Sequence, residues 1–119
     1  MISSRLVSEE DDSMSIIPGT TPTLTFQLDT SILGSTAAEF CLVCDHVCIL
    51  RSLSELMLSE DGTQVSIRLT QAETLSLPDN RIAKVQLRVI LGGSVSATEV
   101  LPVPTKELLH REELTANAD

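Results

Sequence analysis

The segment Thr23–Leu28, which reads TLTFQL, decides the fold because its polar and apolar residues alternate strictly. Leu24, Phe26 and Leu28 fall on one side of an extended chain, and the threonines and the glutamine fall on the other. A period of two is typical of a strand that has one buried and one exposed face. The pattern therefore predicts a β-strand whose three apolar side chains enter the core.

Two glycine-containing turns predict hairpins further along the chain. Asp61-Gly62 and Gly92-Gly93 each lie between two runs of alternating residues, and glycine supplies the positive φ angles that a tight turn requires. The predicted hairpins pair residues 55–58 with residues 64–69, and residues 82–91 with residues 95–103.

The remaining strands differ in their expected positions within a sheet. Residues 39–44 are apolar on both faces, which favours a central strand, and Asp45-His46 is expected to turn the chain back into residues 47–51. Pro102 and Pro104 lack amide donors. The last strand is therefore expected at an edge of its sheet, or to leave the sheet there.

Thr70-Gln71-Ala72-Glu73 matches a capping box. In this motif the threonine hydroxyl accepts a hydrogen bond from the glutamate amide, and the glutamate carboxylate accepts one from the threonine amide. One helical turn is expected here before Pro78. The pattern favours a capping role for Glu73 over a catalytic one. Because glutamine fits the same position, capping alone predicts little cost for Glu73→Gln.

About seven short strands and a single helical turn predict an all-β fold, an antiparallel β-sandwich of immunoglobulin-like type, with a small barrel as the alternative. Tryptophan and the usual disulfide spacing are missing, so the assignment depends on strand number and hairpin order. We expect a flexible acidic arm over residues 1–13 and the sandwich over residues 14–104. Residues 105–119 are expected to form a polar tail, in which a short helix is an open alternative.

Composition and charge narrow the classes of function. The 119 residues are 42% hydrophobic and 21% charged, which is typical of a globular chain. The longest apolar run, residues 40–44, is far shorter than a membrane span, and the first thirty residues hold no secretory segment. A net charge of −9 opposes binding to nucleic acid, since a polyanion is bound through lysine and arginine. We expect neither membrane nor nucleic acid as a partner.

The three cysteines, Cys41, Cys44 and Cys48, lie close to His46 and superficially resemble a zinc knuckle. In a strand, however, Cys41 and Cys44 point to opposite faces, whereas metal ligands must converge on one point. The pattern favours small hydrophobic side chains in a reduced chain over a metal site.

The sequence offers no catalytic constellation. His46 is expected at a turn and His110 in the tail, and neither lies beside a nucleophile motif. Phosphate-binding and metalloprotease motifs are missing as well. We therefore expect no enzyme and no cofactor. The surface feature that we single out is Lys84, Gln86 and Arg88 on one side of a strand, a candidate face for binding an acidic partner.

Three segments, in order, resemble a known family of small proteins encoded in phages and prophages of Firmicutes. They are IPGTTPTLTF at residues 17–26, VSIRLTQAETL at residues 65–75 and VQLR at residues 85–88. These proteins open with a G-T-T-P-T-L-T-F-like segment and carry an L-[ST]-Q-x-[DE]-T-L motif followed by a V-Q-[LV] strand. They are similar to the immunoglobulin-like N-terminal domain of phage baseplate upper proteins, and the resemblance covers about residues 16–104.

The resemblance implies a non-catalytic virion structural protein, made in the host cytoplasm, that docks other phage structural proteins at the tail or baseplate in repeated or homo-oligomeric form. The chain lacks a coiled shaft after the sandwich, which favours an adaptor or decoration subunit. The shared motifs look structural, so the resemblance implies no site residues. The alternative is a prophage-encoded interaction module that acts in the host cytoplasm, and a metal-dependent enzyme using the cysteine cluster is a distant third.

Overall fold

The computed structural model describes residues 2–7, 15–110 and Leu114. These residues form nine strands, one α-helical turn, α1 (Gln71–Leu75), and one 3-10 turn at Leu53–Glu55. In chain order the strands are β1 (Ser4–Val7), β2 (Thr23–Leu28), β3 (Ala37–Cys44), β4 (Val47–Ser52), β5 (Met57–Leu58), β6 (Gln64–Arg68), β7 (Ile82–Leu91), β8 (Ser94–Ala97) and β9 (Leu101–Pro104).

The strands make two antiparallel sheets that face each other across the core. One sheet has the order β1-β2-β6-β5, and the other has the order β4-β3-β7-β8, with β9 also paired to β7. This order corresponds to the A-B-E-D and C′-C-F-G sheets of immunoglobulin-like sandwiches. The predicted fold class is confirmed, although the described residues contain nine strands rather than about seven.

The core follows the predicted alternation. Phe26 from β2 meets Phe40 from β3 edge to face, with ring centroids 6.0 Å apart and ring planes at 73°. This is a favourable geometry for two aromatic rings. The side chains predicted to face inward from the regular strands are buried around this pair: Leu24, Leu28, Val65, Ile67, Val85, Leu87 and Val89.

The predicted turns and the predicted cap are also present. Asp61-Gly62 and Gly92-Gly93 turn their hairpins, and each glycine has a positive φ. At α1 the Glu73 amide donates to the Thr70 hydroxyl at 3.1 Å, and the Thr70 amide donates to the Glu73 carboxylate at 2.8 Å. The capping box thus joins β6 to β7 through one helical turn.

Glu73 has a second partner that the capping pattern does not predict. The Arg51 guanidinium, on the inward side of β4, donates to the same carboxylate oxygen that caps the helix. Burial acts to raise the pKa of Glu73, but the hydrogen bonds from Arg51 and from the Thr70 amide outweigh it, so this pKa lies below its ordinary value. An ion pair therefore connects α1, which follows β6 of the four-stranded sheet, to β4, an edge strand of the other sheet.

The predicted flexible arm over residues 1–13 is wrong for residues 2–7. β1 pairs with β2 over its full length, with Ser4 opposite Leu28 and Val7 opposite Thr25. Ile2 is buried, and its amide donates to the Ala97 carbonyl at 3.0 Å. β1 has no fully buried side, which removes the alternation that marks the other strands. The acidic residues 9–12 lie outside the described residues.

The boundary predicted after residue 104 is also too early. Thr105 is buried, and its hydroxyl donates to the Pro78 carbonyl at 2.7 Å and accepts the Arg81 amide at 2.8 Å. Its satisfied hydroxyl explains why a polar residue belongs to the sandwich. Residues 105–110 form no helix, and the tail beyond them lies outside the described residues apart from Leu114.

The single strand predicted over residues 95–103 is divided at Thr98. The Thr98 amide donates to the Leu87 carbonyl at 2.9 Å, while its hydroxyl accepts the Leu87 amide at 3.1 Å. This side-chain bond interrupts the regular backbone ladder between β8 and β9. Both pieces still lie at the sheet edge beside β7, as the prolines predict. Of the strand predicted over residues 55–58, only Met57–Leu58 pairs as a strand, β5.

We expect Phe26→Asp to abolish folding, because an unpaired carboxylate between the sheets costs several kcal/mol against a total stability of about 5–15 kcal/mol. Leu24→Asp and Leu87→Asp should behave in the same way. Thr25→Asp is the matched control, since Thr25 lies on the outward side and should lose only about 1 kcal/mol. Thermal melts followed by circular dichroism measure both. Equal losses at positions 25 and 26 would contradict the register.

Gly62→Ala should destabilise the protein more than Gly93→Ala. Both glycines have positive φ, at 74° and 81°, so both substitutions cost about 1–2 kcal/mol in backbone strain. A Cβ at Gly62 would also lie 2.5 Å from Cγ of Leu33, whereas a Cβ at Gly93 would meet nothing within 4 Å. We expect about 1–3 kcal/mol more loss at Gly62, measured by urea unfolding. Equal losses would show that the Leu33 contact yields freely.

Glu73→Gln should cost about 1.5 kcal/mol at pH 7, because Arg51 then faces a neutral amide. This exceeds the cost expected from capping alone. Because the pKa of folded Glu73 is lowered, the ionised side chain contributes fully to the free energy of unfolding above the ordinary pKa of 4.5. This contribution is lost as the pH falls through the lowered pKa. The gap in unfolding free energy between the parent and Glu73→Gln should therefore shrink at acid pH. Thr70→Ala removes an N-cap worth about 1 kcal/mol. Because the Thr70 hydroxyl is only the smallest of the causes that lower the pKa of Glu73, the gap for this variant should change less with pH. A gap for Glu73→Gln that does not change with pH would contradict the ion pair.

Candidate functional site

The outward faces of the two sheets differ in chemistry. On the four-stranded sheet, the Thr25 and Ser66 hydroxyls lie 3.0 Å apart, and the Gln64 amide donates to the Gln27 carbonyl oxygen at 2.8 Å. Met57, on the edge strand β5, is the exposed large hydrophobic side chain among the described residues of this face. Cross-strand polar pairs of this kind are typical of a solvated sheet surface.

The outward face of the β4-β3-β7-β8/β9 sheet is apolar by contrast, and we call it the apolar outer face. Across it Val43 lies opposite Cys48 and Lys84, and Cys41 lies opposite Leu50 and Gln86. Monomeric proteins rarely expose large hydrophobic side chains as a continuous group. Five such side chains, exposed by between 37% and 64%, lie on the described part of this face: Val43, Leu50, Ile82, Ile90 and Val95.

The predicted stripe of Lys84, Gln86 and Arg88 lies on the apolar outer face, with all three side chains on the outward side of β7. The Arg88 guanidinium is 3.2 Å from the Glu39 carboxylate on β3, so its charge is balanced locally. The Gln86 amide donates to the Thr98 carbonyl at 2.8 Å. The stripe is therefore less basic than the sequence indicates, and Lys84 carries its unbalanced positive charge.

Carboxylates are scarce on this face. The chain holds seventeen aspartate and glutamate residues. The outward positions of β3, β4, β7, β8 and β9 include one of these carboxylates, Glu39, and two basic side chains, Lys84 and Arg88. The acidity of the protein is thus carried elsewhere, and the apolar outer face can approach another surface without strong repulsion between like charges.

A shallow groove of about 310 Å³ crosses one end of the face between β3 and β8. Its walls include Glu39, Arg88, Ile90 and Val95, so an ion pair and apolar side chains line it together. Pockets for small molecules are usually enclosed and hold a few convergent polar groups. This groove is more suited to a side chain of a protein partner.

The structure separates the residues of the cysteine cluster. Cys44 is buried between the sheets, whereas Cys41 and Cys48 lie on the apolar outer face, and His46 is exposed in the turn. The predicted opposite orientation of Cys41 and Cys44 is confirmed. Within the described part of the chain, no group of three or more histidine, cysteine, aspartate or glutamate side chains is arranged to hold a metal ion.

Cys41 and Cys48 are neighbours that the sequence reading missed, with their sulfur atoms 4.0 Å apart. Burial, the hydrogen bond with Cys48 and nearby negative charge raise the pKa of the Cys41 thiol. The two-residue turn at Asp45-His46 is the sequence feature from which this contact could have been predicted. It places Cys48 opposite Val43 and therefore diagonally across from Cys41.

The two edges of this sheet also differ. Ile2 and Ile16 form parallel bridges with Thr98 and Thr105, so described residues near the N-terminus partly cover the β8/β9 edge. At the opposite edge, β4 has strand pairing only with β3 among the described residues. Strand addition by another chain is thus better accommodated at β4 than at the proline-bearing last strand.

Comparison with models of known protein families gives no match, and comparison with curated proteins gives none either. The described residues include no helix with the length and apolar character to cross a membrane.

Proposed function

We propose that the protein is a non-catalytic structural subunit of a phage particle, an adaptor or decoration protein of the tail or baseplate that docks other particle proteins through its apolar outer face. The observation that carries this proposal is the difference between the two outward faces. One is polar and hydrogen-bonded within itself, and the other exposes five large hydrophobic side chains over adjacent strands.

Covering these side chains supplies the driving force for docking. Burial of apolar surface contributes about 25 cal/mol per Å², and a specific interface buries at least about 1,000 Å² in total. Val43, Leu50 and Ile82 provide an apolar group towards one end of the face, and Ile90 with Val95 provides a second group at the other end. The Arg88–Glu39 ion pair lies between the two groups. A sheet face of this kind presents a flat, rigid surface to a partner.

The charge distribution supports assembly in many copies. Subunits with a net charge of −9 repel one another, yet the apolar outer face carries Glu39 as its one outward carboxylate and retains the positive charge of Lys84. We propose that the partner surface is apolar with an acidic group opposite Lys84. Symmetric repetition then adds many modest contacts together.

The proposal that the protein belongs to a phage particle rests on the motifs at residues 17–26, 65–75 and 85–88. In the fold these motifs supply strand β2, the capped turn α1 and the inward side chains of β7. Their roles are structural, which agrees with a scaffold that presents a surface. The proposal assigns no chemical step, since Glu73 is engaged in its cap and ion pair and His46 lies exposed at a turn.

The direct test is mass spectrometry of purified particles from a host strain that carries the gene. We expect the chain in the particles at a constant ratio to the other tail proteins. Its presence in the cell lysate alone, with none in purified particles, would overturn the structural proposal and favour an interaction module acting in the host cytoplasm.

A matched pair of variants tests the docking face. Leu50 on β4 and Met57 on β5 are each 54% exposed and lie on edge strands of opposite sheets. We expect Leu50→Glu to lower incorporation into particles at least about tenfold, because a carboxylate would be buried at the interface. Met57→Glu should incorporate normally, and both variants should keep the parent melting temperature. Equal incorporation of the two variants would contradict docking through this face.

A further inference from the structure

We propose that Cys41 and Cys48 form a reversible intramolecular disulfide across the β3–β4 hairpin, which makes this pair a site of thiol oxidation on the apolar outer face. Cys44, between them in sequence, takes no part. This inference goes beyond the proposed function and does not depend on it, because it concerns the chemistry of two side chains in the isolated protein.

The Cys41 and Cys48 side chains lie close together. The two sulfur atoms are 4.0 Å apart, on the same outward side of neighbouring strands. The backbone register explains the contact, since Cys41 pairs with Leu50 and Val43 pairs with Cys48, so the cysteines face each other on a diagonal. Diagonal neighbours in a twisted antiparallel pair are close enough for side chains to interact.

The three cysteines differ in their access to solvent. Cys48 is exposed and Cys41 is half-buried beside it, whereas Cys44 is 1% exposed and points between the sheets. A dissolved oxidant therefore reaches Cys48 first. Cys41 is next to the reaction product, and Cys44 is shielded by the core. The three thiols of this short segment therefore differ in their accessibility to the oxidant.

The reaction with a small-molecule disulfide such as oxidised glutathione is balanced in two exchange steps. The Cys48 thiolate attacks one sulfur of the reagent, whose S–S bond breaks and releases one glutathione thiolate. Cys41 then loses its proton to solvent and attacks Sγ of Cys48, which releases the second glutathione. The two protein thiols lose two electrons, and one glutathione disulfide becomes two glutathione thiols.

Burial raises the pKa of the Cys41 thiol and disfavours its thiolate form. The second step should therefore be slower near neutral pH than it would be for a fully exposed thiol, and any mixed disulfide at Cys48 that precedes the internal bond should be short-lived. Raising the pH should shorten its lifetime, because the reacting species is the thiolate.

Closure requires the sulfur atoms to approach from 4.0 Å to the disulfide length of about 2.05 Å. β4 is an edge strand, with strand pairing only to β3 among the described residues, so rotation of both side chains and a small shift of β4 can bring this about. A disulfide that is exposed or bent from its preferred geometry is easily reduced. We therefore expect reduced glutathione to restore both thiols without unfolding the protein.

The test uses the full chain, reduced and then treated with oxidised glutathione under native conditions, with free thiols blocked by alkylation before digestion. Cleavage before aspartate separates residues 29–44, which hold Cys41 and Cys44, from residues 45–60, which hold Cys48. We expect loss of two of the three thiols, a mass lower by two hydrogen atoms and a disulfide that joins the two fragments.

Single substitutions identify the partners. Cys44→Ala should form the same linked fragments, and Cys41→Ala should stop at a stable glutathione adduct on Cys48. Cys48→Ala should lose little or no thiol on the same timescale. A bond that includes Cys44, a lasting adduct on Cys48 of the parent chain, a disulfide-linked dimer as the main product or the absence of reaction would each overturn the proposal. So would an internal bond that reduced glutathione opens only after denaturation.

Discussion

The burial of one side of each regular strand between two sheets is the constraint on which the rest of the structure depends. Phe26 and Phe40, one from each sheet, meet at 6.0 Å in the centre of the core. Once these side chains face inward, the period of two assigns every neighbouring residue to the opposite side. A shift of one residue in register would bury Thr25 and expose Phe26, so the core and the outward surfaces are determined together.

The same constraint gives the two outward faces different compositions. On the four-stranded sheet two pairs of outward residues, Thr25 with Ser66 and Gln27 with Gln64, are joined by hydrogen bonds, as is typical of a solvated surface. On the other sheet the outward residues include Val43, Leu50 and Ile90, whose burial would require a partner. The proposed docking function and the Cys41–Cys48 pair both arise on this second side, where β3 and β4 present neighbouring side chains to solvent.

The sequence predicts the elements that depend on local chemistry. The alternation of Thr23–Leu28, the Asp61-Gly62 turn and the Thr70–Glu73 cap are each encoded within a few neighbouring residues, and each is present as predicted. β1 is missed because a four-residue strand without a buried side has no clear period. Its place is determined by pairing with β2, a contact between segments about twenty residues apart.

The candidate site is only partly predictable for a related reason. The outward direction of Lys84, Gln86 and Arg88 follows from the alternation of β7, but the pairing of Arg88 with Glu39 depends on the register between β3 and β7. The ion pair of Arg51 with Glu73 and the approach of Cys41 to Cys48 likewise require the tertiary or cross-strand arrangement. The sequence shows residue types and their spacing, but it does not show which strands become neighbours. These contacts depend on that arrangement.

The most direct measurement of the docking account is the reactivity of the two lysines towards an amine-modifying reagent in intact particles. Lys84 and Lys106 are the two lysines of the chain, both side chains are exposed, and Lys84 alone lies on the apolar outer face. If the protein docks through the apolar outer face, Lys84 is protected in particles and modified in the free protein, while Lys106 serves as the internal reference. Equal modification of Lys84 in the two states, relative to Lys106, would contradict the account.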